Sequence, residues 1–267
     1  MGVDYTIQQD CMPKAVLGLP GLMGRLKGRD RAEAIIQLYR AQGDMRPVEE
    51  MGFEMVRRAA DGTEEMEVVH IQHLLDAAAE LVSWSEHCHD CPANRLAESF
   101  GCVGAVNYPL SLAGEQWLLA RLPGDEQPLV FLLLQKALLE MGYDGQSAAA
   151  LRTQSGVFFE SETAPQRDVN GTLINANQVF EMLFLSGPIQ PAHGSMLLQF
   201  FGGIPQNLDA DVIMQLATPP SSEWLDARVP FQLQSAPSDD VTIQALKAFF
   251  ESIYVAFRLG VPLLLDV

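Results

Sequence analysis

Long apolar runs and export signals are missing from this sequence. Its longest uninterrupted apolar stretch, Leu129 to Leu134, has six residues, whereas a helix that crosses a bilayer needs about 20. The first residues carry neither a basic start nor an apolar segment, so they lack the pattern of a secretory or transit signal. These absences predict a cytoplasmic protein that does not associate with membranes.

Familiar catalytic motifs are missing as well. The chain contains no glycine-rich phosphate loop with a lysine, no G-x-S-x-G elbow and no dinucleotide-binding fingerprint. It has no repeat of fixed period, which disfavours a solenoid. His193 lies near the start of a predicted helix, and we interpret it as a polar loop histidine rather than a general base.

Positive charge is scarce. The chain has 17 Lys and Arg against 34 Asp and Glu, a net charge of -17. Such a field repels phosphate backbones, so the sequence predicts no nucleic-acid partner. One cluster departs from this balance, at Arg25, Lys27, Arg29 and Arg31. Because no aromatic residues are interleaved there, we interpret it as a solvated loop and helix start.

The residues that are abundant predict a folded protein. A hydrophobic content of 48% is enough for one large core or two modest ones. We predict a mainly α fold with minor β. It would be a multi-helix globular fold with short strands near the termini and a Cys-rich metal knuckle. Residues 1–122 would carry the knuckle, and residues 123–267 would form a second helical region packed with the first as one unit.

Periodicity and punctuation place the individual elements. Alternation of Val3, Tyr5 and Ile7 predicts an N-terminal strand, and residues 261–265 predict a buried terminal strand. Asn170-Gly171 predicts a hairpin turn. Apolar residues at three- and four-residue intervals from Val68 to Val82 predict a helix that ends at the cysteines. Further helices are predicted at 32–41, 47–60, 112–121, 126–141, 147–154, 176–185, 192–201, 209–216 and before Gly260.

Three of the four cysteines lie close together. Cys88, Cys91 and Cys102 form a C-x2-C-x10-C pattern. In a reducing cytosol this pattern marks metal binding or thiol chemistry more often than a disulfide. Two cysteines separated by two residues can turn both sulfurs toward one ion, and tetrahedral Zn²⁺ then needs two further ligands. We therefore predict a structural zinc site with Cys102 as its third ligand.

The fourth ligand has three candidates, which are Cys11, His87 and His89. We favour Cys11, because a lone thiol that follows a strand can fold back onto the knuckle. His87 and His89 flank Cys88, and adjacent side chains point apart; one of them could instead orient a ligand. The predicted ligand set is thus Cys11, Cys88, Cys91 and Cys102.

Other interpretations of the same residues stay open. Free cysteines are often no more than small buried hydrophobes. Cys88-His89-Asp90-Cys91 also has the C-x-x-C form of a dithiol oxidoreductase, although such motifs usually open a helix and this one closes a predicted helix. A metal-dependent hydrolase would use the same region around an ion with an open coordination position.

Polar residues on the helix before the knuckle form a second constellation. Four of them would share one face of a straight helix: His73, Asp76, Glu80 and His87. Glu67 and His70 have the E-x-x-H spacing of di-iron bundles. A solvated face opposite the apolar stripe explains both patterns more simply. The sequence thus predicts an intracellular, zinc-stabilised protein that acts by binding partners or assembling, without catalysis.

Overall fold

A computed structural model describes residues 2–58, 64–96, 99–219 and 221–266. The chain divides into two compact units. The larger, which we call the sheet unit, comprises Met1–Gln9, Pro92–Ala97 and Gly101–Val267. The smaller, the hairpin unit, comprises Asp10–Cys91 and Glu98–Phe100. This partition differs from the sequence-based division after residue 122, a position that lies inside the sheet unit.

The described residues form ten α-helices and a few short strands, which confirms the mainly α class with minor β. A 3-10 helix spans Glu80–Cys88, another spans Val48–Glu50, and a π-helical turn spans Glu181–Leu185. The other elements, in chain order, are β1 (Gly2–Ile7), α1 (Met12–Ala41), β2 (Gly52–Arg58), β3 (Glu64–His70), α2 (Ile71–Ala79), β4 (Val103–Asn107), α3 (Leu112–Arg121), α4 (Pro128–Glu140), α5 (Gln146–Arg152), β5 (Gln166–Val169), β6 (Thr172–Asn175), α6 (Ala176–Phe180), α7 (Pro191–Phe200), α8 (Ala210–Gln215), α9 (Ser222–Arg228), α10 (Val241–Leu259) and β7 (Leu263–Leu265).

The sheet unit is built on a three-stranded antiparallel sheet. Strand β1 lies in the middle, with β4 on one side and β7 on the other. Tyr5 faces Gly104 in β4 and Leu265 in β7. The predicted strands at the two ends of the chain are therefore confirmed, and they pair with each other in the same sheet.

Helix α10 packs on this sheet and carries much of the core. It begins at Asp240, whose carboxylate accepts the backbone N–H of Ile243 at 2.7 Å, and ends at Gly260, whose φ of 66° suits a residue without a side chain. The ring of Phe249 lies edge-on to Tyr5, with centroids 5.2 Å apart. The predicted last helix is confirmed.

The sheet unit encloses a buried ion pair. Glu115 and Arg152 are both buried and form an ion pair. The same guanidinium donates to the Asn177 side-chain oxygen at 2.9 Å and to the Ser161 carbonyl at 2.7 Å, and it stacks on the Phe159 ring. Matched in this way, a buried charge is tolerated, whereas an unmatched one is strongly destabilising.

The hairpin unit has a smaller core. Its centre is a fully buried cluster of Ala32 on α1, Met51, and Ile71 on α2, surrounded by partly buried side chains. Strands β2 and β3 form an antiparallel hairpin. The Tyr39 hydroxyl donates to the Gly52 carbonyl at 2.7 Å, which ties α1 to β2. Leu22, on α1, is fully buried as well.

The helix predicted at 47–60 is wrong, because its described part contains the 3-10 helix Val48–Glu50 and strand β2. The helix predicted from Val68 begins at Ile71 instead, because Val68 lies on strand β3. The three-residue step from Val68 to Ile71 imitates a helical interval, but it crosses the junction between β3 and α2. Asp61-Gly62, a dipeptide typical of hairpin turns, is the signal that this interpretation passed over; residues 59–63 lie outside the described part of the chain.

Helix α1 begins much earlier than the predicted start near Ala32. The sequence predicted a loop and a helix start at the cations from Arg25 to Arg31, yet the helix runs through them and has its kink earlier, at Gly18, where φ is 66°. Pro20 follows this kink within the first turn of the second segment, where a missing N–H costs no hydrogen bond.

The predicted helices between residues 112 and 216 agree with the structure to within about two residues at each end, when the π-helical turn is counted with α6. The predicted turn at Asn170-Gly171 is confirmed, since it closes the β5–β6 hairpin and both residues have positive φ. In the described part of the chain, no helix is both long and apolar enough to cross a membrane.

Candidate functional site

The cysteines fall into two groups. Cys11 directly precedes α1, Cys88 ends the 3-10 helix that follows α2, and Cys91 comes three residues later; all three belong to the hairpin unit. Cys102 belongs to the sheet unit, where its carbonyl accepts the Ile7 N–H at 2.9 Å. None of the four forms a disulfide.

The knuckle is formed by a tightening of the backbone. The α-helix gives way to a 3-10 helix at Glu80, and the Cys91 N–H donates to the Cys88 carbonyl at 3.3 Å. Pro92 follows and lacks the N–H that would continue a helix. The C-x-x-C motif therefore lies in a turn after a helix, as its sequence context predicts.

The Cys88 sulfur lies in a buried environment with other sulfurs nearby. Burial raises the pKa of its thiol, and the neighbouring Cys91 and Cys11 raise the pKa further. The Phe100 backbone N–H, which donates to this sulfur, and the positive charge of Lys14 lower the pKa. Cys91 and Cys11 thus each affect the Cys88 thiol.

Phe100 adopts an unusual backbone conformation at this place. Its φ is 67°, and its side chain is buried. A left-handed conformation costs a bulky residue roughly 1–2 kcal/mol. The surrounding structure holds Phe100 in the conformation in which its N–H reaches the Cys88 sulfur.

No complete ligand set is assembled. Among the described residues, no group of three or more His, Cys, Asp or Glu side chains is placed so as to hold a metal ion. His87 and His89 are both exposed, and the His87 ring lies 5.8 Å from the Trp84 ring, centroid to centroid. The predicted ligand set of Cys11, Cys88, Cys91 and Cys102 stays a prediction.

The predicted polar stripe does not form as a straight helical face. Glu80 lies where α2 ends and the 3-10 helix begins, so the spacing from His73 to His87 crosses two kinds of helix. Asp76 accepts from Gln72 at 2.7 Å, and Glu80 accepts from Arg25 at 2.6 Å. These contacts lie on the surface, which supports the interpretation of a solvated face.

The E-x-x-H segment and the basic cluster lie in secondary-structure elements other than the predicted ones. Glu67 and His70 lie on strand β3, where residues three apart point to opposite faces, so the di-iron spacing is lost. The basic cluster lies on α1 rather than in a loop. Its Arg29 pairs with Asp30 at 3.2 Å, and its Arg31 lies over the Phe53 ring.

A cavity that the sequence analysis did not predict lies in the sheet unit. It has a volume of about 480 Å³ and is lined by His193, Glu181, Tyr143 and Ser186, among others. Glu181 lies in the π-helical turn and accepts the backbone N–H groups of Gly145 at 2.7 Å, Ser147 at 2.8 Å and Ala148 at 3.2 Å. This carboxylate therefore anchors the start of α5.

Burial favours the neutral form of two titratable groups of this cavity, His193 and Tyr143. Burial lowers the pKa of His193. Burial raises the pKa of Tyr143, and a hydrogen bond with Ser186 lowers it by a smaller amount. Within the described residues the His193 ring has no hydrogen-bonded carboxylate to orient it as a base. The isolated His193 in the sequence gave no signal of the cavity, because its neighbours come from segments far apart in the chain.

The chain was compared with known protein families, curated proteins and solved structures. No protein-family model matches the chain, and neither a curated protein nor a solved structure gives a significant match.

Proposed function

We propose that Cys11, Cys88 and Cys91 bind a zinc ion that stabilises the hairpin unit, and that the protein acts by binding partners or assembling, without catalysis of its own. The proposal rests on the C-x-x-C spacing of Cys88 and Cys91 and on the influence of Cys91 and Cys11 on the Cys88 thiol, toward which a backbone N–H is directed. Hydrogen bonds of this kind orient sulfur ligands in metal sites.

The composition of the hairpin unit supports a structural role for the metal. Small folded units seldom bury enough apolar surface to be stable alone, and natural ones often add a metal or disulfides. The fully buried centre here is small, and none of the cysteines forms a disulfide. Cysteines without disulfides also suit the cytoplasmic location that we expect.

A redox function is less well supported by the same residues. A reactive dithiol needs a thiolate that is stable near neutral pH, and such thiols have lowered pKa values. Burial instead raises the pKa of Cys88, and the motif follows a helix rather than opening one. A bound metal deprotonates its thiol ligands, so a raised pKa of the metal-free thiol is compatible with a ligand role, and the position of the motif after a helix favours that role over a redox one.

Metal content of the purified protein tests the proposal. We expect about one equivalent of zinc, and Cys91→Ser should lose both the metal and thermal stability. His89→Asn is the matched control, since this exposed neighbour should leave the metal in place. Cys102→Ser tests the complete predicted ligand set. A native protein without zinc, or a Cys91→Ser protein that retains it, would contradict the proposal.

The net charge of -17 supports a protein rather than a nucleic acid as the partner. We expect no binding to duplex DNA at physiological salt. A gel-shift titration that gave tight, salt-sensitive binding would show that the cations of α1 act together despite their ion pairs.

A further inference from the structure

Two cavities of the sheet unit adjoin each other beside helix α4. One has a volume of about 570 Å³ and the other about 480 Å³, and Gly142 and Tyr143 line both. We call these two adjoining cavities together the α4 groove. Tyr143 is buried, so the groove has a fixed floor at the point where the two halves meet.

Large apolar side chains are exposed along the rim of this groove. Leu139 is 83% exposed and Leu173 is 56% exposed in one half, and Met141 and Leu185 are exposed in the other. Single exposed leucines are common on proteins, but a cluster around one depression marks an interaction site. Exposure this high leaves these side chains outside any small molecule seated in the groove, so the occupant is a larger body that covers them.

Helix α4 itself carries the same signal. Its inner face is buried through Val130, Leu134 and Leu138, while Leu132 on its outer side is 60% exposed. Leu132 and Leu139 are seven residues apart, so they lie on the same side of the helix. The outer face of a surface helix is normally polar, so two exposed leucines on this side of α4 favour a contact surface there.

The charge of the groove selects between occupants. Asp144 lines one half and Glu181 the other, and no lysine or arginine is among the described residues that line either. The nearby Lys136 pairs with Glu140 at 3.7 Å. A second copy of the chain would bring another charge of -17, which opposes association. A basic partner gains from the same field.

We propose that the α4 groove binds a basic amphipathic helix of a partner protein, with its apolar side chains against Leu139 and Leu173 and its lysines or arginines beside Asp144. Docking of an amphipathic helix into an apolar groove is a common mode of recognition. The inference rests on the proposed role in binding partners, but it does not depend on zinc, because the groove lies wholly within the sheet unit.

A pair of model peptides tests the proposal with the full-length protein. Each is a labelled amphipathic helix of about 14 residues, or four turns, with leucines on one face; the polar face carries lysines in one peptide and glutamates in the other. We expect saturable binding of the lysine peptide by fluorescence anisotropy and none of the glutamate peptide. Leu139→Glu and Leu173→Glu should each weaken binding at least ~10-fold.

The control separates the groove from general attraction between opposite charges. Leu38→Glu adds the same charge at an exposed site on α1 and should leave the affinity unchanged. Equal weakening by Leu38→Glu, equal binding of both peptides, or no saturable binding overturns the proposal. So does a native dimer that Leu139→Glu converts to a monomer in sedimentation, because a second copy would then be the occupant. Zinc measured on the same samples reports separately on the proposed metal.

Discussion

The two units of this protein bury charge in different ways. In the sheet unit, Arg152 and Glu115 are buried together. Each nitrogen of the guanidinium has an acceptor, and an aromatic ring lies against it. In the hairpin unit, the pair of Arg25 with Glu80 lies at the surface. Buried pairs are costly to break, whereas surface pairs contribute little. The polar contacts of the hairpin unit therefore do little to stabilise it.

The apolar core of the sheet unit also buries larger side chains than that of the hairpin unit. Phe249, Phe250 and Phe257 of α10 are almost fully buried in the sheet unit, while the hairpin unit centres on Ala32, Met51 and Ile71. Burial of apolar surface contributes roughly 25 cal/mol per Å², so large aromatic side chains contribute most. This difference explains why we assign a stabilising metal to the hairpin unit and a binding groove to the sheet unit.

Removal of the metal should have the largest effect and should separate the two units. Structural zinc contributes on the order of 10 kcal/mol in zinc-finger peptides, so a chelator should abolish amide protection in α2 and leave α10 protected. Hydrogen exchange followed by mass spectrometry measures both helices in one experiment. The Cys91→Ser protein should already lack protection in α2, and the chelator should change nothing further. Equal protection of α2 with and without chelator would show that the core alone stabilises this unit.

Breaking the ion pairs should give the next largest difference. Arg152→Ala leaves Glu115 buried without its partner and should lower the free energy of unfolding by about 3–5 kcal/mol. The matched change in the hairpin unit, Arg25→Ala, should cost at most about 1 kcal/mol. Urea denaturation measures both. A loss of similar size in the two variants would mean that burial does not separate these pairs.

The sequence predicted the sheet unit better than the hairpin unit, for a physical reason. Helices such as α3 and α10 begin at a capping residue and have a long amphipathic or apolar pattern, so local chemistry sets their bounds. Strands β2 and β3 have seven residues each, and their pairing is not a local property. A short strand next to a helix can produce helical spacing by coincidence, as Val68 and Ile71 do.

The candidate sites divide in a similar way. The C-x-x-C spacing directed attention to Cys88 and Cys91, and the strand before Cys11 suggested its return toward them. That ligand set stays a prediction. The α4 groove was not predictable, because Leu139 and Leu173 come together only through tertiary packing. The apolar run from Leu129 to Leu134, longer than one buried helix face needs, was the one available signal.

Helix capping should give a smaller contrast between the units. In the sheet unit, Asp240 accepts the Ile243 N–H and the Ser111 hydroxyl, so Asp240→Ala should cost about 1–2 kcal/mol. In the hairpin unit, His70 occupies the corresponding position before α2 without a capping hydrogen bond. His70→Ala should therefore change stability by less than about 0.5 kcal/mol. Thermal denaturation at neutral pH compares the two, and a larger loss for His70→Ala would assign it a contact beyond capping.

The smallest expected effect is a dependence of stability on pH that arises from His193 in the sheet unit. Burial lowers the pKa of His193 from its ordinary value of 6.5, so the unfolded chain takes up a proton at a higher pH than the folded protein does. Stability from this group is complete above pH 6.5 and declines as the pH falls through that value toward the lowered pKa. His193→Gln keeps a polar side chain but removes the titration, so its stability should fall less between pH 7 and about pH 5. Exposed His89 provides the control, because His89→Gln should follow the native curve; if both variants do so, the histidine of the cavity is accessible to solvent and contributes nothing to acid sensitivity.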